Sequence, residues 1–223
     1  MKHSLKFTIA SAVVAIVLST AASFTHAATI TSTQSDYKPP ITGTKLDKYT
    51  SHPNRRLVIV TKQGTIKLQL FEKVAPNTVA NIIELANSHF YDGTYFHRVI
   101  PGFMIQGGDP NTKDNDYSND GTGSGPRMLK AEFNNIHHER GILSMARAQD
   151  PNSASCQFFI CVADAGYLDH QYTAFGQVVD GMDVVDKIVN LPDASGKTPA
   201  QIQAQGANPG RAAEVIKMYV ENE

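Results

Sequence analysis

Four groups of residues in this chain are of types that do chemistry. Gly121-Thr122-Gly123-Ser124-Gly125 has the small-residue run of a phosphate-cradling loop. No strand precedes it, no helix follows, and no Gly-Lys-Ser/Thr comes after it, so it reads as a flexible turn. His137-His138-Glu139 offers metal-ligating types. Adjacent histidine side chains diverge, however, and no zinc-protease spacing is present. Cys156 and Cys161 lack a recognisable histidine partner nearby, and no Gly-x-Ser-x-Gly elbow marks a serine hydrolase. The fourth group is Phe96-His97-Arg98-Val99-Ile100-Pro101-Gly102-Phe103-Met104-Ile105-Gln106-Gly107-Gly108-Asp109. One arginine and one glutamine are interleaved with Phe and Met, and the run breaks at Pro-Gly and Gly-Gly. This is odd for a simple core strand. On periodicity alone, a barrel strand whose arginine is solvated is an equal reading.

The elements that must position these residues are mostly strands. Leu57–Val60 and Ile66–Leu70 alternate around a hairpin turn at Gln63-Gly64. Pro76 opens a helix, where its missing N–H costs nothing, with Val79, Ile82, Ile83 and Ala86 at helical spacing. Short apolar runs follow at 95–100, 103–106, 141–146, 157–162 and 173–178, separated by Gly and Pro, as in a barrel or sandwich. Asp180 is placed to cap a second helix that buries Met182, Val185, Ile188 and Val189. Thr198-Pro199-Ala200-Gln201 matches a capping box and predicts a short third helix ending at Gly206. A last strand spans 213–220, with Ile216, Met218 and Val220 expected on one face. Cys156 and Cys161 flank a strand at an odd offset, on opposite faces and roughly 16 Å apart along extended chain, which excludes a mutual disulfide and predicts two buried free thiols.

Composition bounds the rest. The 223 residues carry 20 basic and 21 acidic side chains, so no basic excess argues for nucleic acid. Met1–Ala27 has the form of a secretory signal peptide: Lys2 and Lys6, then a mostly apolar run from Phe7 to Leu18, then Thr25-His26-Ala27 before the cut. The apolar run is shorter than the ~20 residues of a spanning helix, and no other segment could span a membrane. Cleavage after Ala27, or one residue later after Ala28, predicts a protein exported to a bacterial periplasm with no membrane attachment; the sequence carries no sign of oligomerisation, so a monomer is the default expectation. Residues 28–56 are rich in Thr and Ser and read as an N-terminal arm or linker, partly disordered or packed through Tyr37, Ile41 and Leu46. The globular domain spans 57–223.

The 96–109 stretch resembles the signature of the cyclophilin family of peptidyl-prolyl cis–trans isomerases. So do Gly141-Ile142-Leu143-Ser144-Met145-Ala146 and Ser155-Cys156-Gln157-Phe158-Phe159-Ile160, in the same order and spacing, down to Leu168-Asp169 and Phe175-Gly176. The resemblance covers roughly residues 57–222 and is nearest to the exported bacterial branch.

The resemblance implies a mainly β fold: a closed eight-stranded antiparallel β-barrel capped by two α-helices, filled by side chains and with its site in a groove on the outer face. It implies isomerisation of X–Pro bonds in folding polypeptides, or else a proline-peptide-binding chaperone with little turnover. By motif position Arg98 is the catalytic arginine. Phe103, Met104, Phe159 and Leu168 form the proline pocket, with Gln106 and Gln157 the polar groups beside it. Ala146 and Arg147 pair with substrate backbone. No nucleophile, metal or cofactor is needed. Three positions depart from common family patterns. Tyr167 stands where many members carry Trp, Tyr172 where His is frequent, and Arg147 where Asn is common. The Trp position helps bind cyclosporin in the family, so weak cyclosporin binding is expected. His97 and Phe158 are expected to be structural.

Overall fold

The structure is a computed structural model that describes residues 37–114 and 116–222. The signal-peptide reading of residues 1–27 and the first part of the arm, residues 28–36, lie outside the described residues. Eight strands form one antiparallel sheet: β1 (Arg55–Thr61), β2 (Gly64–Leu70), β3 (Arg98–Ile100), β4 (Met104–Gly107), β5 (Ile142–Met145), β6 (Phe158–Cys161), β7 (Ala174–Asp180) and β8 (Val215–Asn222). Their spatial order is β3-β4-β6-β5-β7-β2-β1-β8. Among the described residues three α-helices accompany them: α1 (Pro76–Asn87), α2 (Met182–Val189) and the short α3 (Pro199–Gln205).

The pleat sorts the side chains. Leu57 and Ile59 on β1 and Ile66 and Leu68 on β2 enter the main core with Val99, Ile105, Ile160 and Leu143. Helix α1 packs against β8, and α2 packs against β2, β3 and β4. Pro76 begins α1 as expected, but no local side chain caps it. The Glu132 carboxylate accepts from the N–H groups of Asn77 (3.0 Å) and Thr78 (2.8 Å) instead, a cap supplied from far along the chain. Thr198 and Gln201 form the predicted capping box of α3.

The barrel is not closed. Among the described residues, edge strand β3 ladders only with β4, and β8 only with β1. Two isolated bridges, Tyr95 with Glu214 and Val99 with Ala207, cross the remaining gap. The 3-10 turn Gly210–Ala213 interrupts the chain on one side of that gap, so no continuous ladder forms there. The expected closed barrel is therefore a curled, open sheet.

Two local expectations also fail for physical reasons. Asp180 remains in β7, paired with Lys67, and the cap of α2 is Gly181 at φ 85°. A Cβ at Gly181 would lie 2.2 Å from the Thr65 carbonyl oxygen, so only glycine fits. Ile216 is 53% exposed while Met218 is buried. Val60 pairs with Lys217 but Thr61 with Val215, so Ile216 is the extra residue of a β-bulge and leaves the buried face.

The described part of the arm packs down. Ile41 exchanges two hydrogen bonds with the Gln177 side chain (2.9 and 2.6 Å), and the Tyr37 hydroxyl donates to the Val178 carbonyl (3.1 Å). Ile41 joins Phe71, Ile136, Ile142 and Ala174 in a second apolar cluster, with Leu46 beside it.

Candidate active site

Strands β3, β4, β6 and β5 lie side by side, and one register row crosses them: Arg98 opposite Gln106, Gln106 opposite Phe159, Phe159 opposite Ser144. Strand alternation turns these side chains away from the main core, whereas Val99, Ile105, Ile160 and Leu143 point into it. On the outer side a third apolar cluster forms from Met104, Phe159, Cys161, Ala165 and Leu168, with Ile100, Phe103, Ala146 and Tyr172 packed against it. The same parity puts Phe158 in the main core and Phe159 in the outer cluster. It also separates the two thiols: Cys156 belongs to the core and Cys161 to the outer cluster, both free and buried. Burial pushes both thiols up to about 12, so neither is a ready nucleophile.

Polar groups flank the apolar cluster in a directed chain. The Gln157 amide N–H groups donate to the carbonyls of Gly121 (3.1 Å) and Gly123 (2.8 Å). Its oxygen is left to accept from Gln106 Nε2 at 3.0 Å. The Gln106 oxygen in turn faces Arg98 Nη1 at 3.4 Å. Asp109 anchors the far end, accepting from the backbone N–H groups of Gly121, Gly123 and Asn111. The glycine run 121–125 is thus an anchored turn that fixes the orientation of Gln157. Arg98 Nε donates on its other side to the Gln205 carbonyl at 2.8 Å. Among the described residues Nη2 has no partner, so its donors are available to a ligand. Burial lowers the guanidinium from its ordinary value. Arginine nevertheless stays charged in proteins. His97 is buried with neither ring nitrogen hydrogen-bonded, and burial lowers it to about 4, which leaves it neutral.

The rim is aromatic. Phe159 meets Tyr172 edge-on at 5.9 Å between centroids. The Arg147 guanidinium lies 4.6 Å from the centre of the Tyr172 ring. Its N–H groups also bind the carbonyls of Gln171, Ala148 and Gln149, so Arg147 is tied down as well as placed at the edge. Tyr167 is 57% exposed and leans on Phe103 at 5.7 Å. The Ala146 N–H is taken by the Gln157 carbonyl.

Sequence reasoning missed what lies behind Phe159. The His138 ring stacks on Phe159 at 6.2 Å. His138 Nδ1 meets Asp169 at 2.9 Å and Nε2 meets the Ser144 hydroxyl at 3.0 Å. Burial lowers His138, so the ring is neutral: Nδ1–H donates to the carboxylate and Nε2 accepts from Ser144. His137 reaches the second Asp169 oxygen at 2.6 Å and Asp164 at 2.7 Å. The adjacent histidines therefore converge on one carboxylate rather than diverge. Burial raises the Asp169 carboxyl, but its hydrogen bonds to His137 and His138 outweigh this and hold it at about 2. The hydrogen bond to Asp169, then that to Asp164, raises His137 to about 9. This cluster ties residues 137–138 to the 3-10 turn Gly166–Leu168, which carries Tyr167 and Leu168. Only Leu168-Asp169, within the family-like pattern, hinted at it.

The site is thus an apolar cluster on the outer face of an open antiparallel sheet, with a guanidinium held beside it. Residues 56–206 match the family described as "Cyclophilin type peptidyl-prolyl cis-trans isomerase/CLD", and the chain belongs to that family of enzymes. It is similar to peptidyl-prolyl cis-trans isomerase A of Dickeya dadantii, with 43% identity over 139 residues, 59% of this chain and 70% of the relative. A peptidyl-prolyl cis-trans isomerase of Acinetobacter baylyi is 41% identical over 147 residues, 64% of this chain and 76% of the relative. Among solved structures, a Cryptosporidium parvum cyclophilin-type isomerase in the presence of the dipeptide Ala-Pro has a TM-score of 0.64 at 29% identity, covering 75% of this chain and 99% of that one.

Proposed function

We propose that the isomerase acts on X–Pro bonds of exported polypeptides and that Arg98 is its catalytic residue. The observation that carries this is the guanidinium held from both sides, with Nη2 unpartnered, beside the Met104–Phe159–Leu168 cluster. An amide resists rotation because resonance gives its C–N bond double-bond character, with a barrier of ~18–20 kcal/mol. In the twisted transition state that resonance is lost, and the prolyl nitrogen becomes pyramidal and gains a lone pair. A fixed guanidinium donates to that lone pair and not to the planar ground state. Binding that strengthens only in the transition state lowers the barrier. The apolar cluster holds the pyrrolidine ring while the acyl side turns. The Gln157–Gln106 chain on one side and the Gln205 carbonyl on the other keep Arg98 aimed. No bond is made or broken, so the reaction needs no nucleophile.

Export rests on the Met1–Ala27 pattern. Fractionation of the native host should recover a protein beginning at Ala28 outside the cytoplasm; a full-length cytoplasmic chain would refute export. The activity is tested by the cis-to-trans rate of an Ala-Pro peptide. Acceleration by wild type with a roughly 100-fold loss in Arg98→Ala is expected. No acceleration by folded wild type would leave a peptide-binding chaperone as the better reading.

A further inference from the structure

The chain between α2 and β8 carries structure of its own around Arg98, and its internal bonds define a device. The Asp193 carboxylate accepts from the backbone N–H groups of Asn208 (2.8 Å) and Lys197 (3.0 Å), and from the Ser195 hydroxyl. The Ala194 N–H donates to the Asn208 carbonyl at 2.7 Å. Both ends of the segment are thereby tied together, with α3 and its capping box between them. Asn208 Nδ2 then binds Asp120, which also accepts from the Tyr95 hydroxyl. Val99 and Ala207 exchange both backbone hydrogen bonds, at 2.9 and 3.0 Å. This covers the free edge of β3 one residue from Arg98.

Gly206 makes the approach possible. It adopts φ 85°, and its N–H closes α3 on the Ile202 carbonyl. A Cβ there would lie 2.7 Å from Ile100 Cγ1 and 2.8 Å from the Val99 oxygen. The Gln205 carbonyl, one of the last carbonyls of α3 and without an intrahelical partner, accepts from Arg98 Nε. Lys197 Nζ donates to the Gly206 carbonyl at 3.0 Å and clamps the same turn.

We propose that residues 193–208 are a positioning element for Arg98: the Gln205 carbonyl fixes the guanidinium plane from behind, and Gly206 and Lys197 are positioning residues that hold this carbonyl in place. The inference rests on the isomerase reading of the site. An arginine side chain has several rotatable bonds, and catalysis by a fixed donor requires that they be frozen before the substrate arrives. The Gln106 contact at 3.4 Å is too long to do this alone.

The test combines kinetics with NMR of the Arg98 Nε–H, assigned by its loss in Arg98→Lys. In wild type this proton should exchange slowly. Gly206→Ala should speed its exchange and lower kcat/KM roughly tenfold, with Ala-Pro peptide affinity unchanged. Lys197→Met should move both readouts the same way by less, and Lys197→Arg should restore them. If Gly206→Ala fails to fold, the lysine pair decides. Unchanged turnover in the folded variants, or lowered turnover with an undisturbed Nε–H, overturns the positioning role. An inactive wild type would overturn the isomerase reading itself.

Discussion

The inner and outer faces of β3, β4, β6 and β5 are one residue apart along every strand, yet they are built differently. On the inner face Val99, Ile105, Ile160 and Leu143 are fully buried and belong to the main apolar core. On the outer face Arg98, Gln106, Phe159 and Ser144 are each met by groups from outside their own strands: Gln205 for Arg98, Gln157 for Gln106, and His138, itself bound to Asp169, for Phe159 and Ser144. The first face is a matter of volume and transfer free energy. The second is a matter of direction, because each hydrogen bond determines which atom the next residue presents. The two should fail in different ways.

The largest effect on stability should come from the inner face. Ile160→Ala should cost about 2–5 kcal/mol in denaturant unfolding, because the close-packed core cannot refill the lost volume. A loss within a few tenths would mean that the two faces are not distinct in packing. Next is Gln157→Leu, which removes the centre of the outer chain without creating a cavity. It should lower kcat/KM roughly tenfold while peptide affinity and the unfolding midpoint stay close to wild type. A large loss of stability with normal turnover of the folded protein would make Gln157 a core residue in disguise.

A smaller effect is expected at the back of the pocket. His137 is raised to about 9 from an ordinary value of 6.5. A raised histidine contributes stability that is complete below about 6.5 and is lost as pH rises through about 9. Thermal melts of wild type minus those of His137→Gln should therefore show a difference that shrinks between pH 6.5 and 9; a constant difference would mean no coupling to Asp164 and Asp169. The smallest structural change is Tyr167→Trp at the exposed rim. Wild type should bind cyclosporin weakly and the variant more tightly, as read by inhibition titration. Equal affinity would remove Tyr167 as the determinant.

The same contrast explains what could be read from the sequence. The β1–β2 hairpin, the start of α1 and the capping box of α3 are local patterns, and periodicity or capping residues announce them, although the hairpin turn is Lys62-Gln63, one residue before the expected Gln63-Gly64, because Gly64 already pairs with Thr61. Ile216 was misplaced because a bulge shifts parity without changing composition. Gly181 displaced Asp180 as a cap because the backbone of β2 comes too close, which no local pattern records. The outer-face residues were legible through family-like motifs rather than through periodicity. Their supports were not: His137-His138 has the form of a weak metal motif, and the Gln205 carbonyl belongs to backbone that carries no side-chain signature. Contacts made across the chain by loops leave little trace in any one segment.

The most direct test of the account is exchange NMR of an Ala-Pro peptide with wild type and Arg98→Ala, since one sample reports both affinity and the rate of cis–trans exchange on the protein. Affinity should be comparable, with an exchange rate roughly 100-fold slower in the variant. Unchanged exchange at unchanged affinity would contradict it, because the pocket alone would then suffice and the guanidinium would be no more than an ornament of its rim.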